Sequence, residues 1–316
     1  MPDVKWIFAV AAGLCLVLTL AGYIYERISE ARDRRSHGPP GRMIAVGDHR
    51  LHLLCKGTVG PTVIIEQGAG EPAIFWWPVQ EKVSAFARIC TYDRAGYGWS
   101  DPVQASRTIQ ERAEELHTLL LNAEVPGPFI LVAHSYGGFI VRWFAREYRD
   151  QVAGLVLVDT AEEGSIFRED VLAFYSRVSM FPRVIEFAAR FGVPRVLRLC
   201  FPSLRGQLSS VNPDEFAATA DDLASLRRVK PPLTEPGGFG SLGDLPLIVV
   251  EHGQPFPGPF ALLEKYWAAG QRRLAALSTK GELILAPKSN HMIHLDQPDL
   301  VVNAIQRVHA AARAVE

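Results

Sequence analysis

Phe129-Ile130-Leu131-Val132-Ala133-His134-Ser135-Tyr136-Gly137-Gly138 is the stretch on which the fold turns. Its apolar run reads as a strand buried on both faces, and Phe139 to Tyr148 after it read as a helix. Between the two stands a serine with Ala133 two residues before it and Gly137 two residues after it. A sharp strand-to-helix turn thrusts the serine side chain outward, and small residues at those two positions avoid colliding with the turn. A serine so placed is a candidate nucleophile, although an ordinary turn whose serine caps the helix would use the same letters.

Outward from this stretch, short apolar runs at Leu51–Cys55, Thr62–Glu66, Ala87–Tyr92, Gly154–Asp159, Leu247–Glu251 and Glu282–Ala286 read as further strands. Helical patterns separate most of them. Between Thr108 and Asn122, Ile109, Ala113, Leu116, Leu119 and Leu120 share one helical face while Glu111, Arg112, Glu114 and Glu115 lie elsewhere. Strand, helix, strand in this order predicts an α/β fold, a mostly parallel central sheet with helices on both faces. The alternation stops over 161–240, which is helical and then rich in Pro and Gly, as at Lys230-Pro231-Pro232 and Pro236-Gly237-Gly238. That segment reads as an inserted helical lid between two parts of one core, 42–160 and 241–316.

Three further segments bear on the serine. Thr91-Tyr92-Asp93-Arg94-Ala95-Gly96-Tyr97-Gly98-Trp99-Ser100-Asp101 alternates glycines with aromatics, as a loop of tight turns would. Gln67-Gly68-Ala69-Gly70 follows the strand Thr62–Glu66, and Ser289-Asn290-His291-Met292-Ile293-His294-Leu295-Asp296-Gln297-Pro298 follows the last strand. Together with Ala133-His134-Ser135-Tyr136-Gly137 these resemble the α/β-hydrolase family: its G-x-S-x-G elbow with alanine for the first glycine, its D-R-x-G-x-G-x-S loop, its oxyanion loop with Gln67 in place of histidine, and its G-H-x-x-x-x-[DE]-x-P ending. The resemblance runs from about Arg42 to the C-terminus. It implies Ser135 as nucleophile and His291 as base, with His294 on the pocket wall or its support. It also implies that the N–H groups of Ala69 and Tyr136 form the oxyanion hole, and that Arg94 and its loop have a structural role.

The triad acid is harder to place. The family's common site lies just after the strand Leu247–Glu251, but that loop, His252-Gly253-Gln254-Pro255-Phe256-Pro257-Gly258, holds no carboxylate. Some relatives, haloalkane dehalogenases among them, carry the acid at the end of the strand after the nucleophile helix, which here is Asp159, 24 residues after Ser135. Asp159 is taken as the acid, with Glu162, Glu163, Glu251 or a dyad without an acid as the alternatives.

At the other end of the chain, Trp6 to Tyr25 is a 20-residue run without a charge, enough as a helix for a bilayer core of roughly 30 Å. With 1–41 as anchor and stalk, it reads as a single-pass membrane helix, a cleaved signal peptide being the rival. Arg27, Arg32, Arg34 and Arg35 after it favour a cytoplasmic C-terminal side. Cys55 and Cys90 fall on strands that are neighbours in the family's sheet, so a disulfide or two buried thiols both fit, and a disulfide would contradict that orientation. The formal net charge of -1 offers no field for nucleic acid, and the cysteines show no zinc spacing. A His291-x-x-His294 pair lacks an evident third metal ligand, so neither metal nor cofactor is expected. Phe75, Trp76 and Trp77 read as core, and the lid aromatics Phe167, Phe174, Tyr175, Phe181, Phe187 and Phe191 either cover an apolar substrate or pack the lid.

The function these readings imply is hydrolysis of a carboxylic ester or related acyl bond on a small, apolar substrate through an acyl-enzyme. Serine at the elbow argues against the dehalogenase and epoxide-hydrolase branches of the family, which use an aspartate nucleophile. An acyltransferase would use the same nucleophile, and a non-catalytic binding protein would keep the scaffold alone.

Overall fold

A computed structural model describes residues 4–36, 38–201, 211–230, 233–235 and 237–314. Pro231, Pro232 and Pro236, read as breakers, lie outside the described residues, as do parts of the anchor, stalk and lid segments at 1–3, 37 and 202–210.

Eight strands form one sheet: β1 (Arg42–Val46), β2 (His49–Lys56), β3 (Thr62–Glu66), β4 (Ile89–Tyr92), β5 (Phe129–His134), β6 (Val152–Val158), β7 (Leu247–His252) and β8 (Gly281–Ala286). Their order is β1-β2-β4-β3-β5-β6-β7-β8. β1, β2 and β4 pair antiparallel, and every pairing from β4 through β3 to β8 is parallel. The central strands are apolar at consecutive positions because both faces are covered. Along β5, Leu131 and Ala133 join one core layer while Ile130 and Val132 join the other. Helices α3 (Ile109–Asn122), α4 (Gly137–Glu147) and α10 (Glu264–Ala275) supply the first layer; α2 (Trp77–Val83) and α12 (Pro298–Arg313) supply the second.

Local chemistry sets several boundaries. α3 begins on a capping box in which the Thr108 hydroxyl accepts from Glu111 N–H and the Glu111 carboxylate accepts from Thr108 N–H. The Ala87–Tyr92 run is strand only from Ile89, and the strand before Asp159 stops at Val158. The helix after Ser135, α4, starts at Gly137, two residues earlier than its apolar pattern suggests, because the glycines there are already helical. β1 has no counterpart among the sequence-predicted strands: it is a short edge strand, exposed or half-buried until Val46, with an arginine at its start. Cys55 and Cys90 are cross-strand partners of β2 and β4, and a disulfide joins them.

Between β6 and β7 the chain leaves the sheet to build a cap of α5 (Glu163–Ile166), α6 (Glu169–Val178), α7 (Met180–Ala189), α8 (Val193–Cys200) and α9 (Pro213–Ser225). Charge pairs tie it down: Arg94 to Asp222 at 2.8 Å and Arg142 to Glu163 at 2.5 Å are both buried. The N-terminal helix α1 (Val4–Ser36) is long and apolar enough to cross a membrane, and none of its most apolar window is buried against the protein. It meets the cap at Gly22, against Phe191, and at Glu26 and Asp33, which pair with Arg195. Short α11 (Ile293–Asp296) precedes α12 and follows the loop that carries His291.

Candidate active site

Ser135 stands between β5 and α4 with φ +50°, a left-handed conformation that a non-glycine residue adopts at a cost. The turn is feasible because its neighbours are small. A Cβ on Gly137 would lie 2.6 Å from the Gln67 carbonyl oxygen and 2.7 Å from that of Glu66, and one on Gly138 would lie 2.5 Å from Thr160 Cβ. The requirement for a small residue two positions after the serine therefore arises from the adjacent strand β3.

Ser135, His291 and Asp159 are brought together from three different strand ends. The Ser135 hydroxyl lies 2.9 Å from His291 Nε2, and His291 Nδ1 donates to Asp159 Oδ2 at 2.6 Å. A carboxylate can only accept, so the imidazole proton sits on Nδ1 and leaves Nε2 free to accept from the serine. Asp159 is wholly buried and, like Ser135, left-handed, at φ +46°. It lies at the carboxyl end of β6, the edge at which open α/β sheets bind ligands.

Of the other acids considered from sequence, Glu162 and Glu163 are engaged elsewhere. Glu162 caps α5 and pairs with Arg273 at 2.6 Å, Glu163 pairs with Arg142, and Glu251 is half-buried on β7.

Asp159 is held by more than His291. His252 Nδ1 donates to Oδ2 at 2.7 Å, while His252 N–H at 3.2 Å and Trp267 Nε1 at 2.8 Å donate to Oδ1. Burial alone would raise this carboxyl's pKa, but hydrogen bonds from His252 and His291 outweigh it and keep Asp159 ionised well below the usual carboxylate range. His252 is the last residue of β7, at the head of the loop where the usual acid is missing. Its Nε2 donates to Glu264 at 3.1 Å, so both ring nitrogens face carboxylates; burial opposes its charged form, and Asp159 and Glu264 restore it, raising its pKa.

A second buried cluster supports the histidine from behind. His134 Nδ1 lies 2.7 Å from Glu71, and His134 Nε2 lies 2.9 Å from the His291 carbonyl oxygen. Both neighbours are acceptors, an arrangement that favours the protonated ring. Burial works against that charge, and the Glu71 carboxylate overrides it. For His291 the direction is opposite: burial first, then the charge of His134, push its pKa below 6.5. His294 stacks on Trp76 with ring centroids 4.3 Å apart, and burial pushes it down to about 3. Glu71, His134 and His294 place three donor atoms within 4.8 Å of one another, as do Asp159, His252 and His291. These are the groups among the described residues that could hold a metal ion.

The loop after β3 faces the elbow. Gly68 N–H donates to Glu71 and Gly70 N–H to the Tyr97 hydroxyl, with Ala69 between them. Arg94 braces this loop from below by donating to the carbonyls of Gln67 and Gly68, each at 2.7 Å, and to Glu66 and Asp222. Asp93 rests against Gly98, where a Cβ would collide with its carboxylate. The D-R-x-G-x-G stretch thus ties the sheet, the loop after β3 and the cap together.

Residues 67–304 match the sequence profile of the alpha/beta hydrolase family. The chain belongs to that family. Among relatives of this alpha/beta hydrolase, the uncharacterized protein YqjL of Bacillus subtilis (strain 168) is 29% identical over 257 residues, 81% of this chain and 87% of that protein. The fold is shared with a thermophilic esterase from Thermogutta terrifontis, with TM-score 0.61 and 22% identity over 84% of this chain and 98% of that one. It is shared too with the Cif epoxide hydrolase from Acinetobacter nosocomialis, with TM-score 0.66 and 13% identity over 90% and 96%.

Sequence reasoning misses His252, Trp267, Glu264 and the Glu71–His134 pair. The loop without a carboxylate is the available signal for His252; the others are joined to the site only by the folded topology.

Proposed function

We propose that this alpha/beta hydrolase cleaves a carboxylic ester or related acyl bond through an acyl-enzyme on Ser135, and that α1 anchors it in a membrane. The chain of contacts Ser135–His291–Asp159, 2.9 and 2.6 Å long, carries the reading. His291 Nε2 takes the hydroxyl proton as Ser135 Oγ attacks the acyl carbon. Ala69 and Tyr136 N–H groups receive the developing oxyanion, and Asp159 stabilises the imidazolium. His291 then returns the proton to the leaving alcohol as the ester C–O bond breaks. Water, deprotonated by the same nitrogen, attacks the acyl-enzyme and releases the acid with Ser135 restored. Phe256 and Trp267, with ring centroids 5.0 and 5.6 Å from His291, support an apolar acyl group beside the base.

For placement, the Cys55–Cys90 disulfide supports a hydrolase domain in an oxidising compartment, against the cytoplasmic side favoured by the arginine-rich flank. The test of function is turnover of a p-nitrophenyl ester series by the full chain in detergent. Hydrolysis that disappears in Ser135→Ala is expected; equal hydrolysis by the variant, or none by folded wild type, contradicts the reading.

A further inference from the structure

α1 meets the cap before its apolar run has ended. A Cβ on Gly22 would lie 2.5 Å from the Phe191 carbonyl oxygen, so helix and cap touch backbone to backbone there. Gly22 is three residues short of Tyr25, about 4.5 Å of helix axis inside the apolar run. Just beyond, Arg195 of α8 clamps α1 through Glu26 at 2.8 and 3.0 Å and Asp33 at 2.7 Å, with Glu26 fully buried. A bilayer surrounding the apolar run must therefore reach the cap.

The cap surface beside that contact is apolar. Met180, Phe181, Val184 and Phe187 form one outward face of α7, with both phenylalanines 68% exposed, and Val196 and Leu199 of α8 extend it. Phe187 packs edge-on against Phe191, with centroids 5.2 Å apart, which places this face next to the α1 contact. A patch of this kind on a soluble surface marks an interaction site, and aromatic and aliphatic side chains beside a membrane helix suit the headgroup boundary. On its inner side α7 packs on α9, whose Thr219 hydroxyl reaches Tyr97 at 3.3 Å and whose side chain lies against Gly70 of the oxyanion loop. A cavity of about 610 Å³ runs from Glu26 and Arg195 at the α1–cap junction to Gly70, Pro72 and Trp99.

We propose that the outer face of α7 and α8 is immersed in the phospholipid bilayer that α1 enters, and that the enzyme draws its acyl substrate from amphiphiles dissolved there. This rests on reading α1 as an anchor and Ser135 as the nucleophile. The cap lies between bilayer and oxyanion loop, and the cavity offers passage from the lipid boundary toward that loop.

The test uses full-length protein in phosphatidylcholine vesicles, with Cys15 and Cys200 changed to serine and an NBD fluorophore on Phe187→Cys, Leu14→Cys or Leu121→Cys. A label about 5–10 Å into the boundary is quenched by phosphatidylcholine carrying a doxyl group near the headgroup, and poorly by aqueous iodide. That behaviour is expected at 187, with a several-fold weaker iodide effect than at 121, which is exposed on α3. Lipid quenching at 14 with iodide quenching at 187 would overturn the cap proposal and leave the anchor standing. Iodide quenching at both would overturn the anchor as well. Shielding of 187 from both quenchers would mean a protein covers the face, and would also overturn the proposal.

The substrate half has its own readout. Phe181→Ser/Phe187→Ser should lower hydrolysis of a long-chain ester dissolved in the vesicles several-fold while leaving a water-soluble short ester unaffected. Equal effects on both would contradict it. Absence of hydrolysis in wild type would instead fail the serine-hydrolase reading, with the quenching result unaffected.

Discussion

Replacing Asp159 with asparagine separates charge and tautomer from shape. Asp159 receives N–H groups from both imidazoles on Oδ2, and from the His252 backbone and the Trp267 indole on Oδ1. An amide has one acceptor oxygen and one NH₂, so one of these pairs must meet donors. The backbone N–H and the indole cannot change what they offer, whereas the imidazoles can exchange tautomers. The amide oxygen of the variant therefore takes the Oδ1 position and its NH₂ faces His291. His291 must then accept at Nδ1 and carry its proton on Nε2, pointing at Ser135, where it cannot act as base. The expected loss is about 10⁴ in kcat, or about 5.4 kcal/mol at about 1.36 kcal/mol per factor of ten. Steady-state hydrolysis of an activated ester by wild type and Asp159→Asn measures it, with near-ultraviolet circular dichroism to establish that the variant is folded. A folded variant within about tenfold of wild type would rule out this role for Asp159, because a correctly oriented base would not then depend on this carboxylate.

Trp267→Phe removes one neutral donor to Asp159 Oδ1 while keeping most of the ring; a hydrogen bond to a charged group is worth about 1.5–3 kcal/mol, so kcat/KM should fall by up to about 10–100-fold, and an unchanged value would contradict the supporting role. Because burial and His134 push His291 below 6.5 and only neutral imidazole is a base, kcat/KM should rise with pH to a plateau through a midpoint below 6.5. Glu71→Gln removes the carboxylate that keeps His134 charged and should move that midpoint upward, whereas an unmoved midpoint would show that the His134 charge does not reach His291. The Cys55–Cys90 bridge closes a separation of 35 residues, so Cys55→Ser/Cys90→Ser should lose about 3–4 kcal/mol in urea unfolding, and a loss near zero would argue against the bridge.

Most of the sheet can be read from the chain because strands buried on both faces are compact apolar blocks, as at Thr62–Glu66 and Phe129–His134. β1 escapes because an edge strand has only one covered face and five residues in which to show it. Ser135 and His291 stand out because an elbow and a strand-end loop impose local constraints on neighbouring letters, such as the small residue at Gly137. Asp159 can be reached only through topology, as the strand end beside the elbow. His252 and Trp267 reach it from 93 and 108 residues away, and no local pattern links residues so far apart. His134 is visible only as the variable letter before Ser135; what raises its pKa is Glu71, which another loop supplies.

The proposed mechanism stands or falls on Ser135 as an activated nucleophile. Treating the full chain with a fluorophosphonate and mapping the modified peptide tests it most directly. Modification is expected at Ser135, absent in Ser135→Ala and slowed in Asp159→Asn. A folded protein that resists the reagent, or that reacts at another residue and not at Ser135, would contradict it.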